Sequence, residues 1–297
     1  MRTESPERTA RVVSVGRNAV WLAFEDEEIV RLASLRKNVE RLALVPGDLV
    51  RATPLDRDRV VVDARLPRSF ALQRTTAGGR TKTMAANIDG IGIVAAFARP
   101  AIHLAMIDEL IAFSEIHGIA ARLILTKPDL ADPADLASVP TLYGGLGYTV
   151  LVVNSKTRDG VDEIERAFAG TQTLLVGQSG VGKSSLFRAL GGAAEVGDVS
   201  KSGRGKQTTT SGRLHRFHDG FLIDSPGFGE FELTGVSAAE LGLGFVEFAP
   251  LIGTCRFADC AHRGEPGCAI AAAVESGAVA RSRYASYRAI LDRPIGR

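Results

Sequence analysis

Long apolar runs are missing from this 297-residue chain. No uninterrupted apolar stretch reaches the roughly 18 residues that a membrane-crossing helix needs. The opening MRTESPERTARVV also lacks the basic-then-apolar order of a secretory signal. The cytoplasm is therefore the expected compartment, and no membrane is expected among the partners. Bulk charge is scarce too: the formal net charge of +2 is too mild to announce a nucleic-acid binder, so such a role must rest on local patches. Lysine is rare beside arginine, occurring only at Lys37, Lys82, Lys127, Lys156, Lys183, Lys201 and Lys206. Cysteine is rarer still, with three residues confined to one short stretch, and an odd number in a chain expected to be cytoplasmic argues against disulfides. No internal repeat or low-complexity tract occurs.

The length suggests about two domains. The first seventy residues read as short strands, VVSVGRNAVWLAF, EEIVRL, GDLVRATPL and DRVVVDARL, separated by turn residues. Repeated short strands predict a small β-barrel, and an RNA-binding OB-like barrel over residues 1–72 fits. After a polar TTAGGRTKT stretch the texture changes. The runs at 91–98, 121–127, 149–155 and 173–179 are buried-strand candidates, and 102–117 carries apolar residues at helical spacing. Strands alternating with helices predict an α/β domain with a mostly parallel sheet over residues 73–235. GRLHRF and FLIDSPG predict two more strands. Residues 236–297 read as a small third unit with helical texture from Ala269 to Asp292. Two segments concentrate basic charge: Lys201 to Arg216, and the tail with Arg283, Arg288, Arg293 and Arg297.

GQSGVGKSS, from Gly177 to Ser185, satisfies the GxxxxGK[ST] pattern between a predicted strand and a predicted helix. Glycines let the backbone of Gly177, Gln178, Ser179, Gly180, Val181 and Gly182 wrap so that N–H groups point at phosphates. Lys183 reaches the β- and γ-phosphates, Ser184 ligates magnesium, and Ser185 continues into the helix. Upstream, TKPD places Thr126, Lys127, Pro128 and Asp129 at the end of a predicted strand, where α/β ligands bind. It resembles the guanine-reading signature of GTPases. The Asp129 carboxylate can accept from N1–H and the exocyclic amino group of guanine, whereas adenine leaves it unpaired. Lys127 lies along the base or braces the phosphate loop. Asn154, Ser155 and Lys156 follow another predicted strand and could supply a backbone contact to the guanine O6. In an ordinary GTPase the base-reading motif follows the phosphate loop; here it precedes it, which predicts a permuted nucleotide domain.

DSPG after the apolar FLI fits a magnesium- and phosphate-sensing loop, with Asp224 holding a metal-bound water and the Gly227 amide sensing the γ-phosphate. A hydroxyl of Thr208, Thr209 or Thr210 completes the magnesium shell, with Thr209 as the candidate. Phe228 stands where Ras-like GTPases place a water-orienting glutamine, so intrinsic hydrolysis should be slow and stimulated by a partner. Gln207 is the substitute candidate for placing that water. All three cysteines fall in CRFADCAHRGEPGC, and Cys255, Cys260, His262 and Cys268 form a complete tetrahedral shell for one structural zinc ion.

Together the barrel, TKPD, NSK, GQSGVGKSS, GRGKQTTT, DSPG and the CxxxxCxHxxxxxC spacing, in that order, resemble the ribosome small subunit-dependent GTPase A family, also called RsgA, YjeQ or EngC. The AANIDG stretch at Ala85 to Gly90 adds to the resemblance. It implies a circularly permuted P-loop GTPase domain, an N-terminal OB-like β-barrel and a C-terminal helical zinc-binding domain. It further implies binding of GTP and GDP with magnesium, contact with the 30S subunit and its 16S rRNA late in maturation, and hydrolysis stimulated by that subunit; a monomer is expected. Two residues depart from the family: Gln207 stands where histidine is usual, and Thr126 where asparagine is. A nucleotide-gated rRNA-binding scaffold with negligible hydrolysis is the alternative reading, and an ATP-using enzyme is disfavoured by Asp129.

Overall fold

The computed structural model describes residues 7–16, 20–40, 42–56, 59–75, 81–191, 213–224 and 236–293. They fall into two compact units. The first comprises 7–89, 165–175, 186–191 and 213–224; the second comprises 90–164, 176–185 and 236–293.

In the first unit, β1 (Arg8–Val15), β2 (Val20–Phe24), β3 (Val30–Leu35), β4 (Leu49–Pro54) and β5 (Val60–Arg65) close into a barrel of order β1-β2-β3-β5-β4; a single turn, α1 (Lys37–Glu40), follows β3. Alternate residues Ala10, Val12, Val20, Leu22, Phe24, Val50, Ala52, Val60 and Val62 point inward and form the core. Bulges at Val12/Ser14 and Arg51/Ala52 bend β1 and β4, as closure of so small a barrel requires. The small barrel expected from the sequence is present, with five strands.

The polar stretch after the barrel is not a plain linker. β6 (Ala71–Thr75) and β7 (Thr81–Ala86) pair antiparallel with Thr75 opposite Thr81. The AANIDG residues then tie this ribbon to the barrel base. Asn87, at a left-handed φ of 53°, accepts from Ser69 N (2.8 Å) and donates to Gly47 O (3.0 Å). Asp89 accepts from the backbone N–H of Gln172 at 2.7 Å. Gln172 opens β11 (Gln172–Val176), which pairs parallel with β13 (Gly220–Asp224); β13 in turn pairs antiparallel with β12 (Arg213–Phe217).

In the second unit, β8 (Gly90–Ala96), β9 (Ala120–Thr126) and β10 (Thr149–Val153) run parallel, with β9 in the middle. Every residue of β8 is buried, the pattern of a strand covered on both faces. α2 (Leu104–His117) connects β8 to β9. The His103 ring caps its start by accepting from Met106 N, and Gly118 ends it at φ 64°. α3 (Pro133–Gly145) starts on an Asp132 cap with Pro133 in its first turn and leads to β10. α4 (Val161–Phe168) and α5 (Lys183–Ala189) flank β11 in the chain.

The C-terminal segment folds as α6 (Ala238–Leu243), α7 (Ala269–Ser276) and α8 (Arg281–Leu291), the latter two separated at Gly277 with φ 81°. Helix α6 opens with a reciprocal Ser237/Glu240 capping box. The segment carries more core than its composition suggests. Leu241, Phe245, Phe248, Ile270, Val279, Tyr287 and Ile290 are buried together with Ala112 of α2.

Three of the four tail arginines have partners within the fold. Arg283 is buried, donating to Asp108 Oδ1 (2.7 Å) and to both oxygens of Glu247 (2.7 and 3.0 Å), while Tyr143 also donates to Asp108 (2.7 Å). Burial works against the Arg283 charge, yet Glu247 and Asp108 hold its pKa above the ordinary value. Arg293 grips both oxygens of Glu109 at 2.7 Å, and Arg288 donates to Arg263 O at 2.7 Å. Arg283, Arg288 and Arg293 thus bind within the fold, Arg283 wholly buried; Arg297 lies outside the described residues. Among the described residues no helix is long and apolar enough to cross a membrane.

Candidate nucleotide site and metal centre

β11 ends at Val176, and the loop that follows leads directly into α5 at Lys183. A side chain at Gly177 would collide with the Val94 carbonyl oxygen, so only glycine lets the loop leave the sheet this close to β8. Gly180 and Gly182 adopt φ of 81° and 102°. The Lys183 ammonium donates to Gly177 O (2.5 Å) and Gln178 O (2.8 Å), held over the loop by its own backbone.

The end of β9 meets this loop. Thr126, 2% exposed, brings its hydroxyl 2.5 Å from Val181 O and 3.3 Å from Ala95 O. Lys127 turns into the left-handed region at φ 57°, and its ammonium donates to Gly180 O (2.7 Å) and to Arg99 O. Pro128 and Asp129 begin a short 3-10 turn. The Asp129 carboxylate lies 3.8 Å from the Lys156 ammonium, and the Asn154 side chain accepts from Lys156 N at 3.0 Å, setting the turn through Ser155. The structure thus brings Thr126, Lys127, Asp129, Lys156, Gly180, Val181 and Lys183 together. Ser184 and Ser185 lie in the first turn of α5, and Asp224 closes β13. Gln207, Thr208, Thr209, Thr210, Gly227 and Phe228 lie outside the described residues.

The four metal-ligand candidates also converge. One donor atom each from Cys255, Cys260, His262 and Cys268 lies within 4.8 Å of the others. Thiolates around one zinc ion sit roughly 4 Å apart, so the spacing fits a tetrahedral shell. Backbone N–H groups of Ala269 and Ala271 aim at the sulfurs of Cys255 (3.3 Å) and Cys268 (3.5 Å). His262 presents Nδ1 to Cys255 and Cys268 at 3.5 and 3.7 Å from a backbone at φ 57°. Its carbonyl accepts from Tyr284. Glu265 pins the connecting turn by accepting from Ala261 N (3.1 Å) and Arg263 N (2.7 Å). Burial lowers the His262 pKa, favouring the neutral imidazole that a metal needs.

Two residues that sequence reasoning passed over stand behind the phosphate strand. Arg11 on β1 donates to the Gln172 side-chain oxygen at 2.5 Å, and the Gln172 amide donates to Ala86 O at 2.7 Å. The signal was a polar Gln172–Thr173 pair opening a buried strand.

A GxxxxGKS loop leaving a parallel strand, braced by a TKPD turn that precedes it in the chain, together with a barrel and a Cys3His cluster, defines a circularly permuted P-loop GTPase. The matching family model, RsgA GTPase, spans residues 65–234. The chain belongs to the RsgA GTPase family. The small ribosomal subunit biogenesis GTPase RsgA of Pseudomonas syringae pv. tomato is 40% identical over 294 residues, covering 96% of this chain and 85% of the relative. The protein of that name from Pseudomonas aeruginosa (strain LESB58) is 42% identical over 293 residues with the same shares. Among solved structures, YjeQ from Thermotoga maritima superposes with a TM-score of 0.79 at 30% identity, covering 97% of this chain and all (100%) of that one. YloQ, described as a circularly permuted GTPase, gives 0.76 at 24% identity, covering 98% and 96%, and speaks for the fold alone.

Proposed function

We propose that this protein hydrolyses GTP to GDP and phosphate in the cytoplasm, acts in late maturation of the 30S subunit in contact with 16S rRNA, and is stimulated by that subunit. The observation that carries the reading is the junction of its two motifs: Lys127 on Gly180 O and Thr126 on Val181 O put the base-reading turn and the phosphate loop in one site. Relatives named small ribosomal subunit biogenesis GTPase support the ribosomal part.

In this mechanism Asp129 accepts from guanine N1–H and the 2-amino group, with Lys156 balancing its charge. Lys183 leaves the carbonyls of Gly177 and Gln178 for the β- and γ-phosphates, and loop N–H groups take the phosphate oxygens. Ser184, Thr209 and Asp224 are oxygen donors suited to magnesium, which when bound neutralises charge between the phosphates. Gln207 orients the attacking water, whose oxygen bonds to the γ-phosphorus as the bridge to GDP breaks; the Gly227 amide senses the γ-phosphate. Phe228 has no hydrogen bond to offer, so turnover depends on the ribosomal partner. Zinc in the Cys3His shell has a structural role, since four protein ligands leave no open position. The working unit is a monomer organised as barrel (1–72), GTPase domain (73–235) and zinc domain (236–297).

Multiple-turnover assays with and without 30S subunits test this. GTP hydrolysis that rises with 30S, and labelled GDP that resists ATP competition, are the expected results. Nucleotide binding with no turnover in either condition would turn the reading toward a nucleotide-gated rRNA scaffold.

A further inference from the structure

We propose that Thr126 is a positioning residue of the phosphate loop and not a reader of guanine, leaving base selection at this turn to Asp129. The proposal rests on the GTPase reading above and concerns how one of its motif residues acts.

A hydroxyl owns one proton. The two nearest partners of Thr126 Oγ1, Val181 O at 2.5 Å and Ala95 O at 3.3 Å, are both carbonyl acceptors, so the shorter contact takes that proton. Guanine presents N7 and O6 on the edge away from its sugar, and both are acceptors as well. Donation to the base would therefore strip the proton from Val181 O and leave a buried carbonyl unpaired. A carboxamide at this position has two N–H donors and can serve loop and base together. Threonine serves one of them, and here it serves the loop.

The backbone makes that choice firm. Thr126 is the last residue of β9, in register with Ala96 on one side and Val153 on the other, and its side chain is 2% exposed. Lys127 holds the neighbouring carbonyl, with its ammonium 2.7 Å from Gly180 O. Two consecutive side chains thus fix two consecutive carbonyls of the loop, Gly180 and Val181. In a planar trans peptide the N–H points opposite to the C=O. Pinning those carbonyls toward β9 therefore orients the N–H groups of Val181 and Gly182 away from it, toward the side on which a phosphate loop holds its ligand. Loss of the hydroxyl should be felt as weaker phosphate binding with base preference intact.

Isothermal titration of wild type, Thr126→Val and Thr126→Ser with GDP, 7-deaza-GDP and 6-thio-GDP separates the roles. The first analogue lacks the N7 acceptor, and the second replaces O6 with a weaker sulfur acceptor. Thr126→Val should weaken all three ligands by one common factor of about 10, and Thr126→Ser should return each to within about 2-fold of wild type. Thermal melts of each variant confirm that the fold is retained. A Val penalty that shrinks for either analogue would show that the hydroxyl reads the base and would overturn the proposal. A Val variant that binds GDP as wild type does would overturn it too. If wild type binds none of the three, the GTPase reading itself falls.

Discussion

Arg11 on barrel strand β1 donates to the side-chain oxygen of Gln172, the residue that opens the strand running into the phosphate loop. The Gln172 side chain also donates to Ala86 O, while its backbone N–H donates to the Asp89 carboxylate and its carbonyl accepts from Asp89 N, so one residue joins β1, the AANIDG turn and β11. Burial lowers the Arg11 pKa, the mark of a cation held mainly by neutral acceptors. Gln172→Leu removes an acceptor from the guanidinium and a donor from Ala86 O, and should cost about 2–4 kcal/mol in urea denaturation. Unchanged stability would show that this junction contributes nothing.

Asp129→Asn exchanges an acceptor pair for a mixed donor and acceptor, which no longer matches N1–H and the 2-amino group of guanine but suits the carbonyl of xanthine. The variant should lose GDP affinity by at least about 10-fold and gain affinity for xanthosine diphosphate. Competition titrations read both changes together. Unaltered GDP binding would remove Asp129 from the base site.

Arg283→Met leaves Asp108 and Glu247 buried without their cation and should destabilise by about 3–5 kcal/mol. The pH dependence has a definite sign. Burial raises the Asp108 pKa, partly opposed by Arg283, so the folded state holds this proton more tightly than the unfolded chain does. The group's contribution is therefore greatest below the ordinary carboxylate pKa and is lost as pH rises through the folded value. Without Arg283 that folded value climbs further, so the variant's deficit should shrink as pH falls toward 4 and widen toward neutrality. A deficit independent of pH would assign the loss to packing alone.

Metal analysis of protein purified without chelator should find about one zinc per chain. Chelation should loosen the turn from Cys255 to Cys268 and the start of α7, which Cys268 caps, while α8 stays on α2 through Arg283 and Arg293. Hydrogen exchange resolves the two segments. Equal protection with and without metal would argue against a structural ion.

Most of the architecture was legible because its signals were local. Alternating apolar residues marked the barrel, buried runs marked β8 to β11, and the phosphate loop and metal spacing are short patterns whose chemistry fixes their geometry. What escaped was non-local or lay in short strands rich in polar residues. The β6–β7 ribbon carries threonine, lysine and arginine, so no apolar period reveals it. The tail arginines looked like a free basic patch because their partners Asp108, Glu109 and Glu247 lie far off in the chain and sit on α2 and in the turn after α6. Thr126 was read for the base by motif position; only the distance to Val181 O reveals a competing acceptor.

Those long-range ion pairs bear on how the chain is made. Asp108 meets Arg283 across 175 residues and Glu109 meets Arg293 across 184. During translation α2 emerges with two carboxylates destined for burial and no cation to receive them, so its outer face stays hydrated until α8 leaves the exit tunnel. Closure of α8 over α2, the helix between β8 and β9, therefore waits for the last residues to be made. A chain interrupted before α8 keeps every nucleotide motif yet lacks the closure that α2 requires.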